Sequence, residues 1–425
     1  MELRDRLTRL GYFNKGAPAS PDAPAPDGAV AAPPRPAAPA RDPGWPDVAD
    51  LIVGSRRAGA AGGCFVAETR YPLDHVHGEV ALSDLLGAAT SAFALMTGDD
   101  RLGRLDPERT VLIDIETTGL AGGTGTLVFL IGLGFFADSH FRVEQFFLRD
   151  PGEERAMLHM LGEVLGRFEA VVTFNGKCFD WPLIETRHYY HRVPLRPSAP
   201  LHLDLLFPAR RLFRRRIGSC SLEQLEAEAL GLGRRVGEVP GFLIPTIYFE
   251  YLRSRDGRGL VPVFERNRRD ILSMLSLAVC MARCVDDPAA ASHATDVYSL
   301  GRLFEDAGQV ERGIRCYERA LTATSDRAEV LSRLGGAYKR LRQQERAVEL
   351  WEGMIAEGAL SIYPYVELAK VLEHKRRDYA RAAELTRRAA ALHGRTRADT
   401  PPARHASERA ELERRLRRLE RRLGR

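Results

Sequence analysis

Between Arg109 and Leu148 the apolar positions come in three dense runs. R-T-V-L-I-D-I-E-T is β-branched and nearly continuous, T-L-V-F-L-I-G-L-G-F-F follows a glycine-rich turn, and F-R-V-E-Q-F-F-L alternates. The pattern predicts three strands joined by short turns, an antiparallel meander. A helical period then runs from Glu153 to Phe168, a short buried strand A-V-V-T-F follows, and a second helix starts around Pro182. This is the β-α-β alternation of an α/β sheet. Further helices are expected up to Cys284.

After Pro288 the pattern is wholly helical and repeats every 34 residues. Leu300 with Gly301, Leu334 with Gly335 and Leu368 with Ala369 share that spacing, as do Phe304, Tyr338 and Leu372, then Tyr317 and Trp351. Ala347 stands four before Trp351, on the same helix face. These positions resemble tetratricopeptide repeats. The resemblance implies an all-α solenoid over residues 292–395 with a face for a protein partner, the third copy carrying one extra residue before Ala382. A helical bundle with accidental spacing is the alternative.

Leu3, Leu7 and Leu10 mark a short amphipathic helix over residues 1–14. Residues 17–46 hold ten of the 25 prolines and ten alanines, too little apolar surface to offset chain entropy, so 15–47 reads as a disordered linker. At the other end, Leu412, Leu416, Leu419 and Leu423 draw one apolar stripe along a basic helix within 396–425. It reads as a cap on the repeats, or as a nucleic-acid or coiled-coil contact.

The 425 residues exceed one core at roughly 100 to 200 residues per domain. Apolar residues at 44% and charged residues at 28% exclude a collagenous, disulfide-scaffold or wholly disordered chain. The net charge of +5 is matched by residues 404–425 alone, with nine arginines against four glutamates, so total charge does not argue for nucleic acid. Six cysteines without C-x-x-C spacing argue against a disulfide framework or zinc ribbon, and Cys280 and Cys284 are expected to be buried. No secretory pattern opens the chain, and the longest apolar run, 126–136, is far below the ~20 residues of a membrane helix. Cytoplasmic residence is the expectation.

Candidate chemistry lies in three acidic motifs. In V-L-I-D-I-E-T-T-G-L, Asp114 and Glu116 are spaced i, i+2 on a strand and share one face, while Ile113 and Ile115 fill the other. Two like charges on a core strand cost several kcal/mol unless cations compensate, which points to a metal site; two exposed acids on an edge strand would be the plain alternative. In V-V-T-F-N-G-K-C-F-D-W-P-L-I a buried strand ends in a polar turn and Asp180 opens a helix, where it also suits a plain N-cap. In F-E-R-N-R-R-D-I-L, Asp270 lies on the apolar side of a long helix.

Taken together, D-x-E, N-x-x-x-F-D and N-x-x-D resemble the DEDD superfamily of 3′→5′ exonucleases, and more closely the bacterial YprB-like proteins. The resemblance covers about residues 64–284 and includes T-R-Y-P-L-D-H-V-H-G, L-H-L-D-L-L and P-G-F-L-I-P. It implies an α/β ribonuclease-H-like mixed sheet domain over 109–288, with 48–108 as its N-terminal extension. Asp114, Glu116, Asp180 and Asp270 would be the metal-binding carboxylates. Asn175 and Phe179 would shape the motif around Asp180, Asn267 would lie beside the site, and Asp204 matches a further acidic position. Four carboxylates balance two Mg²⁺ or Mn²⁺ ions, which would activate water and stabilise the leaving 3′ oxygen of DNA or RNA.

One position departs from that pattern. Where related exonucleases carry a tyrosine or histidine to orient the attacking water, four residues before the last aspartate, this chain has Arg266. Arginine cannot act as a base at neutral pH. Either the metal alone activates water, or Glu265 substitutes, or activity is weak or lost and the chain is a nucleic-acid-binding or scaffold protein. Substrate contact is expected along Arg210, Arg211, Arg214, Arg215 and Arg216, with Phe207 and Phe213 interleaved for base stacking; a basic solvated helix is the alternative.

Overall fold

A computed structural model describes residues 45–119, 125–197, 200–233, 239–323, 326–395 and 402–424. The expected N-terminal helix and nearly all of the linker lie outside the described residues. The described residues divide into two compact units: those within 45–86, 105–205 and 231–276 form the first, and those within 87–104, 206–230 and 277–424 the second. This division passes inside a helix after Ser276 and places 206–230 in the second unit, while the expected boundary at 288 falls within that unit.

The first unit is built on a seven-stranded sheet. In chain order the strands are β1 (Gly54–Gly59), β2 (Gly62–Pro72), a two-residue hairpin β3 (Val76–His77) and β4 (Val80–Ala81), β5 (Thr110–Thr117), β6 (Val128–Ala137), β7 (His140–Phe147), β8 (Ala170–Thr173) and β9 (Leu201–Asp204). The sheet order is β1-β2-β7-β6-β5-β8-β9. The expected meander is β5-β6-β7, and β8 and β9 extend the sheet in parallel from β5. Both faces of β5 are therefore covered, and Val111, Ile113 and Ile115 enter a core with Phe129, Phe147, Tyr248 and Phe264. The Phe129 and Tyr248 rings stack with centroids 4.1 Å apart.

Helices α1 (Val48–Leu51), α3 (Glu154–Leu165), α4 (Asp180–Tyr190), α7 (Ile244–Ser254) and the first part of α8 (Val261–Asp286) complete this unit. Pro46 and Asp47, the end of the expected linker, belong to its packing: Gly257 N–H donates to the Pro46 carbonyl, and Asp47 pairs with Arg149 at 2.9 Å. Between α3 and α4 lies a buried ion pair, Arg187 to Glu154, with both nitrogen–oxygen contacts at 2.5 Å. Burying either charge alone is costly, so the pair ties α4 to α3.

Outside that sheet, the second unit holds α2 (Ser91–Thr97), α5 (Leu206–Ile217), α6 (Leu222–Ala229), the end of α8, and then α9 (Ala294–Asp306), α10 (Val310–Ala320), α11 (Arg327–Arg340), α12 (Gln344–Ala356), α13 (Tyr363–Val371), α14 (Tyr379–Arg395) and α15 (Pro402–Leu423). A side chain at Gly301 would strike Tyr317, and 34 residues on, one at Gly335 would strike Trp351. The same small-against-large contact recurs at the period read in the sequence. A π-helical turn, Leu372–Arg376, precedes α14; such turns insert one residue into a helix, and this one falls where the third copy runs one residue long. On α15, Leu412 and Leu419 are buried but Leu423 is exposed, while Arg415 and Arg418 both grip the buried Glu373. Cys284 is buried, whereas Cys280 is half-buried. Among the described residues no helix is long and apolar enough to cross a membrane.

Candidate active site

Register explains how β5 presents its acids. Asp114 pairs with Gly132 on β6, and Gly132 pairs with Gln145 on β7, so the three form one row on one face. The middle position has no side chain, and Asn267 of α8 drops into that space: a Cβ on Gly132 would lie 2.3 Å from its Oδ1. From there Asn267 Nδ2 donates to the Asp114 Oδ2 at 2.8 Å, and Gln145 Nε2 donates to the Asn267 Oδ1 at 2.8 Å. Two residues along β6, Gly134 gives way in the same manner to Ile271. This pair of glycines lets α8 approach the sheet closely enough to bring Asp270 to β5. Glu116 follows on the same face, and the β5–β6 register shifts immediately after it, a bulge of the kind that re-aims side chains beside sites.

Asp180 arrives from the other side of β5. It is the first residue of α4, with Phe179 at the cap position, so it is not the N-cap. Its carboxylate takes backbone N–H groups from its own residue and from Ile115, between Asp114 and Glu116. Burial nevertheless dominates and pushes its carboxyl up to about 7. Asp204 holds the turn before α4: it accepts from Asn175 N at 2.8 Å and Lys177 N at 3.0 Å. Asn175 adopts a left-handed φ of 66° and is exposed, and Gly176 passes so close to Thr173 that a Cβ would clash. Phe179 is half-buried against the core. The turn chemistry is what the N-G-K-C-F-D motif encodes.

Asp114 feels the other three carboxylates. Burial raises the Asp114 carboxyl well above its ordinary value, and the charges of Asp270, Glu116 and Asp180 raise it further, against the lowering effect of Asn267. Arg266 stands among them. Its Nε lies 3.9 Å from Glu116 Oε1 and 3.8 Å from Asp270 Oδ2, and its Nη1 donates to the Val239 carbonyl at 3.4 Å. Glu265 is exposed, on the side of α8 away from Asp270. The T-R-Y-P-L-D-H-V-H-G segment reaches the same helix, His77 Nε2 lying 2.9 Å from Ser273 Oγ.

Hard divalent ions take carboxylate oxygens, so the donors fit Mg²⁺ or Mn²⁺ in type. Among the described residues, no three His, Cys, Asp or Glu side chains form a group that could hold an ion as it stands. Asn267 holds Asp114 by a hydrogen bond and Arg266 stands within 4 Å of Glu116 and Asp270, an arrangement that an ion would have to reorganise.

The expected substrate arginines belong to the second unit. Along α5 the helical period turns Leu206, Ala209, Leu212 and Phe213 inward, so Phe213 is buried and does not present a ring for base stacking; Phe207 is exposed. Arg211 donates to the Met96 carbonyl, Arg215 pairs with Glu329 at 2.7 Å and Arg216 with Asp296 at 2.8 Å. Arg210, Arg211, Arg214 and Arg215 with Arg302 line a depression of about 390 Å³.

Residues 111–282 match the family model described as the RNase H superfamily, which sets the class of the sheet unit. Over 331 residues the chain is 33% identical to uncharacterized protein YprB of Bacillus subtilis (strain 168), an alignment covering 76% of this chain and 79% of that one. The chain belongs to this YprB-like family.

Proposed function

We propose that the protein is a metal-dependent nuclease that hydrolyses phosphodiester bonds of DNA or RNA, working 3′→5′ from a chain end. The observation that supports it is the charge coupling at Asp114, whose carboxyl feels Asp270, Glu116 and Asp180 together. Three separate elements would not bring the charges of three acids to bear on a fourth without a cation to bind. Mg²⁺ or Mn²⁺ there would activate water and stabilise the departing oxygen. The cations around Arg210, Arg211, Arg214 and Arg302 suit the phosphate backbone. The helices after 294, with their recurring Gly–aromatic contact, would serve as a tetratricopeptide face for a protein partner.

Arg266 favours a second reading, a nucleic-acid-binding protein that no longer cuts, because its guanidinium already compensates Glu116 and Asp270. Incubating the full chain with end-labelled single- and double-stranded DNA and RNA and Mn²⁺ separates the two. Mn²⁺-dependent shortening from the 3′ end, lost in Asp114→Asn, supports the nuclease; binding without cleavage supports the second reading.

A further inference from the structure

Resting on the metal-dependent reading, we infer that Arg266 takes the place of one of the two expected ions, so that the site binds a single divalent cation on its Asp114 and Asp180 side. The carboxylates divide into two pairs by what faces them. Glu116 and Asp270 share one guanidinium, whose Nε is within 4 Å of an oxygen of each, at 3.9 and 3.8 Å. That guanidinium is fixed from behind: Nη1 donates to the Val239 carbonyl at 3.4 Å, and Gly241 leaves room for Nη2, since a Cβ there would stand 3.8 Å from it. Arg266 and Asp270 are also one helical turn apart on α8, so the chain itself delivers the cation with the acid.

Asp114 and Asp180 are treated differently. Asp114 receives Asn267 Nδ2, a neutral donor, at 2.8 Å. Asp180 receives backbone N–H groups of its own residue and Ile115. Neutral donors orient a carboxylate without supplying a compensating charge, so this half of the site leaves two acids for an external ion of charge two to neutralise. A guanidinium is always protonated and cannot be exchanged for solvent. An ion seated between Glu116 and Asp270 would have to displace a tethered cation and sit beside it, at a cost that falls as 1/r with separation.

The test is Mn²⁺ titration of the full chain, read by the spectrum of the bound ion and by calorimetric stoichiometry. Wild type should bind one Mn²⁺ with the signal of an isolated ion, and Arg266→Gln should double the stoichiometry, the second ion coupling magnetically to the first at the roughly 3.5 to 4 Å of a two-ion centre. Two coupled ions in wild type would overturn the inference while leaving the metal-dependent reading intact, and the wild-type spectrum decides this even if the variant does not fold. A stoichiometry of one in folded Arg266→Gln would also overturn it. No specific Mn²⁺ in wild type would sink both the inference and the reading beneath it.

Discussion

Burial makes Asp180 a titrating group in the range where the protein would work. In the unfolded chain its carboxyl returns to the ordinary 3.8, against about 7 in the fold. Below the lower value both states hold the proton, so nothing is lost. As pH rises from there to about 7, the unfolded chain sheds a proton that the folded chain keeps, and stability falls; above about 7 the penalty is constant. Asp114, shifted in the same direction, adds to it. The metal-free protein should therefore melt at lower temperature at pH 8 than at pH 5, Asp180→Asn should flatten that slope, and Mn²⁺ should raise the melting temperature more at pH 8. Thermal unfolding in chelator and in Mn²⁺ across this range checks all three. Asp204 is also buried but has a different task. Asp204→Ala orphans the Asn175 and Lys177 amides and should cost about 1 to 3 kcal/mol in denaturant unfolding.

At the scale of elements, the site depends on how closely α8 lies against β6. Gly132→Ala puts a Cβ 2.3 Å from the Asn267 amide. Overpacking of this kind costs roughly 1 to 3 kcal/mol, and here it should also displace Asn267 from Asp114. Urea unfolding and Mn²⁺ affinity should both fall; unchanged Mn²⁺ affinity would mean that the Gln145–Asn267–Asp114 row does not position the acid. Local pattern was enough to read β5, β6, β7 and β8 in the chain, because each is a short apolar run bounded by turn residues. The i, i+2 spacing of Asp114 and Glu116 carried the same-face geometry directly. Gln145 and Gly132 were silent in that reading, since their meaning comes only from strand register, which pairs residues far apart in sequence. The ion pairs of α5 were silent for a related reason: Arg215 and Arg216 find acids on helices some 80 or more residues later.

That long-range pairing bears on how the whole molecule divides. The stretch 206–230 belongs with the helices after 277. A chain ending at Ala290 would strip Asp296, Asp326 and Glu329 from Arg216 and Arg215, and α9 from α5, against which it packs. Leaving the partly buried Arg216 without its aspartate costs about 3 kcal/mol by itself. The shortened chain should aggregate or melt well below the full protein in light scattering and thermal unfolding. A soluble monomer with an unchanged melting temperature would restore the boundary near 288.

The central claim is that four carboxylates on one sheet and two helices form a divalent-ion site that cuts nucleic acid. Its most direct measurement is single-turnover hydrolysis of a 5′-labelled oligonucleotide, in both DNA and RNA form, at saturating Mn²⁺, by wild type and by Asp114→Asn combined with Glu116→Gln. Metal charge stabilisation is worth several kcal/mol at the transition state, so the double variant should be slower by at least about 100-fold while still binding the oligonucleotide. Equal rates in the two proteins, or no Mn²⁺-dependent product from wild type on any substrate, would contradict the account.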